Sequence, residues 1–199
     1  MARDADARKS AILAAVAEVI VEIGFTAMTV ADVARRAGVS TALVHYHFSS
    51  KSDLIRAAIS VAGEEERSSR ETIAARDASA QDRIAEMLIG SLPEGPDDPT
   101  WLLWIETWGE IRRLPEVRRL MEDLDRHELE SISALIVSGR ADGEFACEDP
   151  VATAQRLVAL RDGLAVQRTL FSATAVEDAA RLLRSAMSRN LGLPSDDPF

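Results

Sequence analysis

Apolar residues recur along this chain at spacings of three and four, the period of an α-helix with one buried face. Ile12, Val16, Val19, Ile20 and Ile23 set such a stripe on a first helix that Gly24 can end. Thr29 offers an N-cap hydroxyl with Asp32 three residues on, so a second helix begins there. It is short, because Gly38 sits where the chain must turn and can take positive φ without a steric penalty. Ser40 caps a third helix, Thr41 to about His47. A fourth starts near Ser50 with Leu54, Ala57, Ala58 and Val61 inward, and beyond Gly63 the run "EEERSSRE" reads as solvated helix surface.

The distal half keeps the same period. Ser79 and Asp82 open a helix that runs to Gly90, and "SLPEGPDDP", with three prolines in nine residues, is a loop. Helices follow over Thr100–Arg113 and from Pro115, a first-turn proline, to about Ala141; "ADGEF" is a turn, and Asp149-Pro150 provides the cap and first residue of the next. Thr174 with Glu177 forms a capping box for a last helix ending near Leu191, and "LGLPSDDPF" reads as a frayed tail. No segment alternates with a strand's period and no internal repeat is present. The expected fold class is all-α, with about nine helices.

Composition changes this picture in three places. At 199 residues and 47% apolar, the chain can build one small and one medium domain. Its net charge of −10 argues against a polyanionic partner, but the distribution matters more than the sum. Residues 1–58 carry seven Lys/Arg against six Asp/Glu, a balance of +1, while the other 141 carry 16 against 27, a balance of −11. Any contact with a polyanion falls to the N-terminal segment. The start "MARDADARKS" lacks the apolar core of a secretion signal, and no later run approaches the ~18 uninterrupted apolar residues of a membrane span. A soluble, cytoplasmic protein with no membrane partner is expected. The single cysteine, Cys147, excludes an intrachain disulfide and a Cys-based zinc cluster, and an idle thiol is the simpler reading over redox sensing.

The stretch "VARRAGVSTALVHYHFSSKSDL", residues 33–54, holds two helix-sized segments on either side of one glycine. Two short helices joined by a Gly-containing turn form the helix-turn-helix pattern, whose second helix enters the DNA major groove; a plain helical corner has the same spacing. The third helix carries Thr41, His45 and Tyr46, groups a core corner has no reason to expose together. With Lys51 and the amides at the start of the fourth helix they make a phosphate-clamping set. His45 and His47, two residues apart on a helix, point about 200° from each other and cannot chelate one ion, so no metal or cofactor is expected here.

Those residues carry a family resemblance. Arg8 to Ile59, with Gly24-Phe25, Thr29 and Ala37-Gly38-Val39-Ser40 in register and "YHF", "SSK" and Leu54 after them, resembles the DNA-binding domain of the tetracycline-repressor (TetR) family of bacterial transcription regulators. The resemblance implies that residues 1–58 bind DNA and that 59–199 bind an effector and dimerise. It implies phosphate contacts at Thr29, Tyr46 and Lys51, with Ser40 opening a recognition helix on which Thr41, Ala42 and Leu43 face bases. His45 stands where many members have tyrosine and Ala42 where many have glycine, which leaves base specificity open.

The distal half offers weaker chemistry. Trp101, Trp104 and Trp108 share one side of a helix with Ile105 in "WLLWIETWGE". They either pack the core or line a ligand cavity, for which indole faces and N–H donors are suited. Glu106 and Glu110 on the flank are solvated charges or an anchor for a polar effector. Asp123, His127 and Glu130 share a helical face, a half metal site or chance spacing, and His127 joins the tryptophans as a candidate pocket residue. The Trp-rich helix, the Gly-Glu-Phe turn and "ALRDGLAVQ" resemble the C-terminal domain of the BetI-like branch, a likeness that does not carry choline over as the effector. Val151, Ala154, Leu157, Val158 and Leu164, then Val176, Ala180, Leu183, Met187 and Leu191, form stripes that either cover the core or, as the family implies, pair two subunits. An enzyme using Glu106, Asp123 or His127 is the rival class, without a nucleophile-base pair or phosphate loop to support it. A regulator governed by a protein partner, or by none, is a second rival. The expected protein is an effector-responsive repressor, acting on double-stranded DNA as a homodimer.

Overall fold

A computed structural model describes residues 2–96, 98–171 and 175–193. All regular structure among them is helical: α1 (Ala2–Ala27), α2 (Val30–Arg36), α3 (Thr41–His47), α4 (Lys51–Ala74), α5 (Ala80–Ile89), α6 (Pro99–Glu110), α7 (Pro115–Ala141), α8 (Pro150–Phe171) and α9 (Val176–Leu191). The expected boundaries hold to within a few residues because they rest on local chemistry. Gly24, at φ 77° and ψ 163°, breaks the helical path of α1. Ser79 Oγ accepts from the Asp82 amide, and Asp149 Oδ1 from the Ala152 amide. Ala175 stands in the N-cap position of α9; Thr174, expected to cap it, lies outside the described residues, as does most of the C-terminal tail.

The helices group into two compact units: residues 1–65 with 102–123, and 66–101 with 124–199. Most of α6 and the start of α7 belong to the first unit. Its core joins Ile12, Val16 and Ile20 of α1, Val33 of α2, Val44 of α3 and Leu54 and Ile59 of α4 with Leu103 and Val117. Fully burying an aliphatic side chain of this size contributes about 1.5–3 kcal/mol, so the two short helices, α2 and α3, are held by packing rather than by their own propensity. Two inward assignments need correction. Ile23 and Val61 are exposed, while Leu13, Ile55 and Ile59 are buried. A stripe fixes a face, and residues at its edge fall either way once the neighbouring helix is placed. α1 is long and apolar enough to cross a membrane by length and composition alone, but its apolar face is the buried side of this core.

The core of the second unit gathers Ile84 and Leu88 of α5, Ile132 and Ile136 of α7, Leu157 and Val158 of α8 and Met187 and Leu191 of α9. Gly139 lets the Phe145 ring lie against α7, since a Cβ there would sit 2.3 Å from Phe145 Cε2. The stripes expected to pair subunits are mostly spent here. Leu157, Leu164, Ala180, Leu183 and Met187 are buried within the chain itself and Val176 is half-buried. The same periodicity serves core and interface alike, so spacing could not separate them. The exposed large apolar residues of α8 and α9 are Val151, Leu170, Phe171 and Leu182.

Candidate nucleic-acid interface

α2 starts with a complete capping box: Thr29 Oγ1 accepts from the Asp32 amide at 3.2 Å, and Asp32 Oδ2 accepts from the Thr29 amide at 3.0 Å. The Thr29 hydroxyl also donates to Asp32 Oδ2 at 2.6 Å. These bonds hold the Asp32 carboxyl below its usual range. A hydroxyl has one proton to give, so a phosphate contact from Thr29 requires that proton to leave Asp32. Arg36 pairs with Glu18 at 2.9 Å and with Glu22, bracing α2 on α1, and Arg35 pairs with Asp32. Neither arginine stands alone as a phosphate ligand.

The turn after α2 closes through the Val39 amide, which donates to the Ala34 carbonyl at 2.9 Å, with Gly38 at φ 67°. That is the left-handed conformation a side chain disfavours. Ser40 Oγ accepts from the Leu43 amide at 3.2 Å, which leaves its proton available. On α3, Val44 is buried and anchors the helix, while Thr41, Ala42, His45 and Tyr46 are exposed, Tyr46 at 82%. Leu43 is half-buried, so it serves packing as well as any contact to a base. The Tyr46 ring meets His47 edge-on at 5.1 Å, and His47 is half-buried rather than part of the exposed row.

Lys51 is placed differently from its expected role. Its half-buried ammonium donates to the Phe25 carbonyl at 2.9 Å and to the Thr26 carbonyl at 3.3 Å, tying α4 to the chain beyond the Gly24 break. Two of its three donors are thus engaged within the fold. The first amides of α4 are also partly satisfied. Asp53 Oδ2 accepts from the Ser49 amide at 3.1 Å and the Ser50 hydroxyl from the Asp53 amide at 3.1 Å, so a carboxylate already sits at this helix start. Arg56 and the Ser49 amide hold the Asp53 carboxyl below its usual range.

The distal candidates do not gather into one wall within either unit. Trp101 and His127 belong to the second unit, whereas Trp104, Ile105 and Trp108 belong to the first, where Trp104 packs on the core. Trp101 is buried and its indole N–H donates to the Ser91 carbonyl at 2.7 Å. His127 Nε2 lies 3.8 Å from Glu71 Oε1. Glu110 pairs with Arg113 at 2.8 Å, and Glu106 lies beside Gly24. The Glu128–Arg161–Asp162 cluster of the second unit was not anticipated. Its one signal in the sequence is an adjacent Arg-Asp pair inside the apolar run "LVALRDGLAV".

Residues 12–58 match the family of bacterial regulatory proteins, tetR family, and residues 80–192 match the BetI-type transcriptional repressor C-terminal family. The HTH-type transcriptional regulator BetI of Rhizobium meliloti (strain 1021) is 30% identical over 197 residues, which cover 96% of this chain and 93% of that protein. Among solved structures, a protein described as a TetR-family transcriptional regulator from Rhodococcus sp. superposes with a TM-score of 0.79 at 30% identity, covering 92% of this chain and 98% of its own. A transcriptional regulator from Saccharomonospora viridis, solved in complex with choline, gives a TM-score of 0.82 at 27% identity, covering 92% of this chain and 96% of its own. With its helix-turn-helix segment and its distal helices both matched, the chain belongs to the TetR family of transcriptional regulators, with a C-terminal region of the BetI type.

Proposed function

We propose that this regulator represses transcription in the bacterial cytoplasm by binding a palindromic DNA operator as a homodimer, and that a small-molecule effector bound by the distal residues releases it. The observation that carries the reading is the outward row of α3, where Thr41, Ala42, His45 and Tyr46 are exposed over a helix anchored by Val44. Thr41 and Ala42 read base edges; Ser40, Tyr46 and the third donor of Lys51 meet phosphates. In a twofold dimer two such helices dock in successive major grooves, roughly 34 Å apart.

With Leu157, Leu164, Leu183 and Met187 committed to the core, pairing falls to the opposite side of α8 and α9, where Val151, Leu170 and Leu182 are exposed. A symmetric contact built on these residues brings identical patches together. The effector acts by binding one of two arrangements of the dimer more tightly, which is the only way a ligand shifts such a population. A choline-bound structural neighbour supports a small organic effector of this kind. The test is a titration of protein onto a palindromic duplex that it binds, with mass measured at saturation. Two chains per duplex, released by a saturating effector, bear the reading out. One chain per duplex, or a ligand-saturated dimer that holds its duplex unchanged, overturns it.

A further inference from the structure

Residues from α6, α7 and α8 meet at one guanidinium in the second unit. Arg161 of α8 is 7% exposed. Its Nη2 donates to Glu128 Oε2 of α7 at 2.9 Å, its Nε to Asp162 Oδ1 at 2.8 Å and its Nη1 to Ser91 Oγ at 3.1 Å. Its Cζ stands 5.6 Å from the ring centroid of Trp101 at the start of α6. The indole cannot turn away, because its N–H is bonded to the Ser91 carbonyl. Glu128 is itself positioned, with Oε1 3.6 Å from Arg70 Nη1. Burial, with Glu128 and Asp125 nearby, raises the Asp162 carboxyl above its usual range against the pull of Arg161.

An aromatic face, two carboxylates and a hydroxyl around one point are the groups that hold a free organic cation. Here the cation is supplied by the chain. We propose that Arg161 is a tethered occupant of an organic-cation seat built from Trp101, Glu128, Asp162 and Ser91, and that it sets effector specificity by keeping free guanidinium and quaternary ammonium ions out of that seat. Truncating Arg161 takes the cation from Asp162 and leaves Glu128 with Arg70 alone, at 3.6 Å, which is unfavourable in a buried setting, and a free cation of matching size then restores the charge. The effector of the intact chain accordingly binds elsewhere than on the Trp101 face. This consequence rests on the proposed effector control, whereas the seat itself is tested without DNA or dimer.

The experiment is a thermal-unfolding and calorimetric titration of wild type, R161A and R161A/E128Q with low-millimolar guanidinium chloride and choline chloride, against equal sodium chloride and urea. The expected result is saturable stabilisation of R161A by guanidinium, about tenfold tighter than any response of wild type, and loss of that response in R161A/E128Q. A residue with a packing role alone would give destabilisation with no saturable rescue. If R161A does not fold, its recovery from urea is measured with and without guanidinium, and a gain over sodium chloride is expected. No saturable response of R161A to either cation, no gain in recovery, or a response kept in R161A/E128Q, overturns the proposal. Failure of DNA release by an effector bears on the proposed function and leaves these outcomes unchanged.

Discussion

The Lys51 ammonium is bonded to the Phe25 carbonyl at 2.9 Å, so a lysine at the edge of the DNA-facing surface also holds the fold together. Hydrogen bonds from charged groups contribute about 1.5–3 kcal/mol; at this half-buried site the lower end applies. Lys51→Ala should lower stability by about 1.5 kcal/mol in urea unfolding and weaken DNA binding about equally on all sequences, with a salt slope shallower by about one. Loss confined to the best operator would remove Lys51 from the phosphate contacts.

Acid should loosen the DNA-binding segment through Asp32 and Asp53. Both carboxyls are held below their ordinary value of 3.8, Asp32 chiefly by the Thr29 hydroxyl and Asp53 chiefly by Arg56. Their folded-state values lie below the unfolded ones, so their contribution is present above the unfolded value and is lost as pH falls through the folded one. Stability measured by circular dichroism should fall as pH drops below about 4, and Asp32→Asn should flatten that limb. An unchanged limb in the variant would show that the capping box does not titrate as described.

Gly139→Ala should destabilise the second unit by about 1–3 kcal/mol, because its Cβ would meet the buried Phe145 ring and the chain must shift to admit it. Pairing it with Phe145→Leu should recover part of the loss. Equal losses in the single and double variants would mean that the clash is not the cause.

Core and pairing surfaces should respond differently. Leu183→Ala removes a fully buried side chain and should cost about 2–5 kcal/mol while leaving any dimer intact. Leu182→Glu changes an exposed residue one position away, and should leave the fold unchanged while dissociating the dimer and abolishing palindrome binding. A dimeric, well-folded Leu182→Glu chain in analytical ultracentrifugation would move the interface elsewhere.

Element boundaries were legible because each depends on residues adjacent in sequence: Thr29 with Asp32, Ser40 with the Leu43 amide, the Gly24 break, Pro115 and Pro150 at helix starts. The exposed row of α3 was legible for the same reason, since one buried residue, Val44, fixes how a seven-residue helix lies. Partnership over distance was not. An apolar stripe says that a face is covered and not by what, so Leu157 and Met187 read as interface or core until α5 and α7 were in place. Lys51 read as a phosphate ligand because its carbonyl partners lie 25 and 26 residues away. The cation held by Trp101, Glu128 and Asp162 draws on three helices, and only its Arg-Asp pair is contiguous.

Operator reading by a twofold dimer is tested by selecting bound duplexes from a random library with the purified wild-type chain, at low and at physiological salt. The selected duplexes should converge on an inverted repeat whose half-sites are centred about one helical turn apart, with Thr41→Ala shifting the preferred bases and not the spacing. No enrichment at either salt concentration, or enrichment of single half-sites without symmetry, would contradict it.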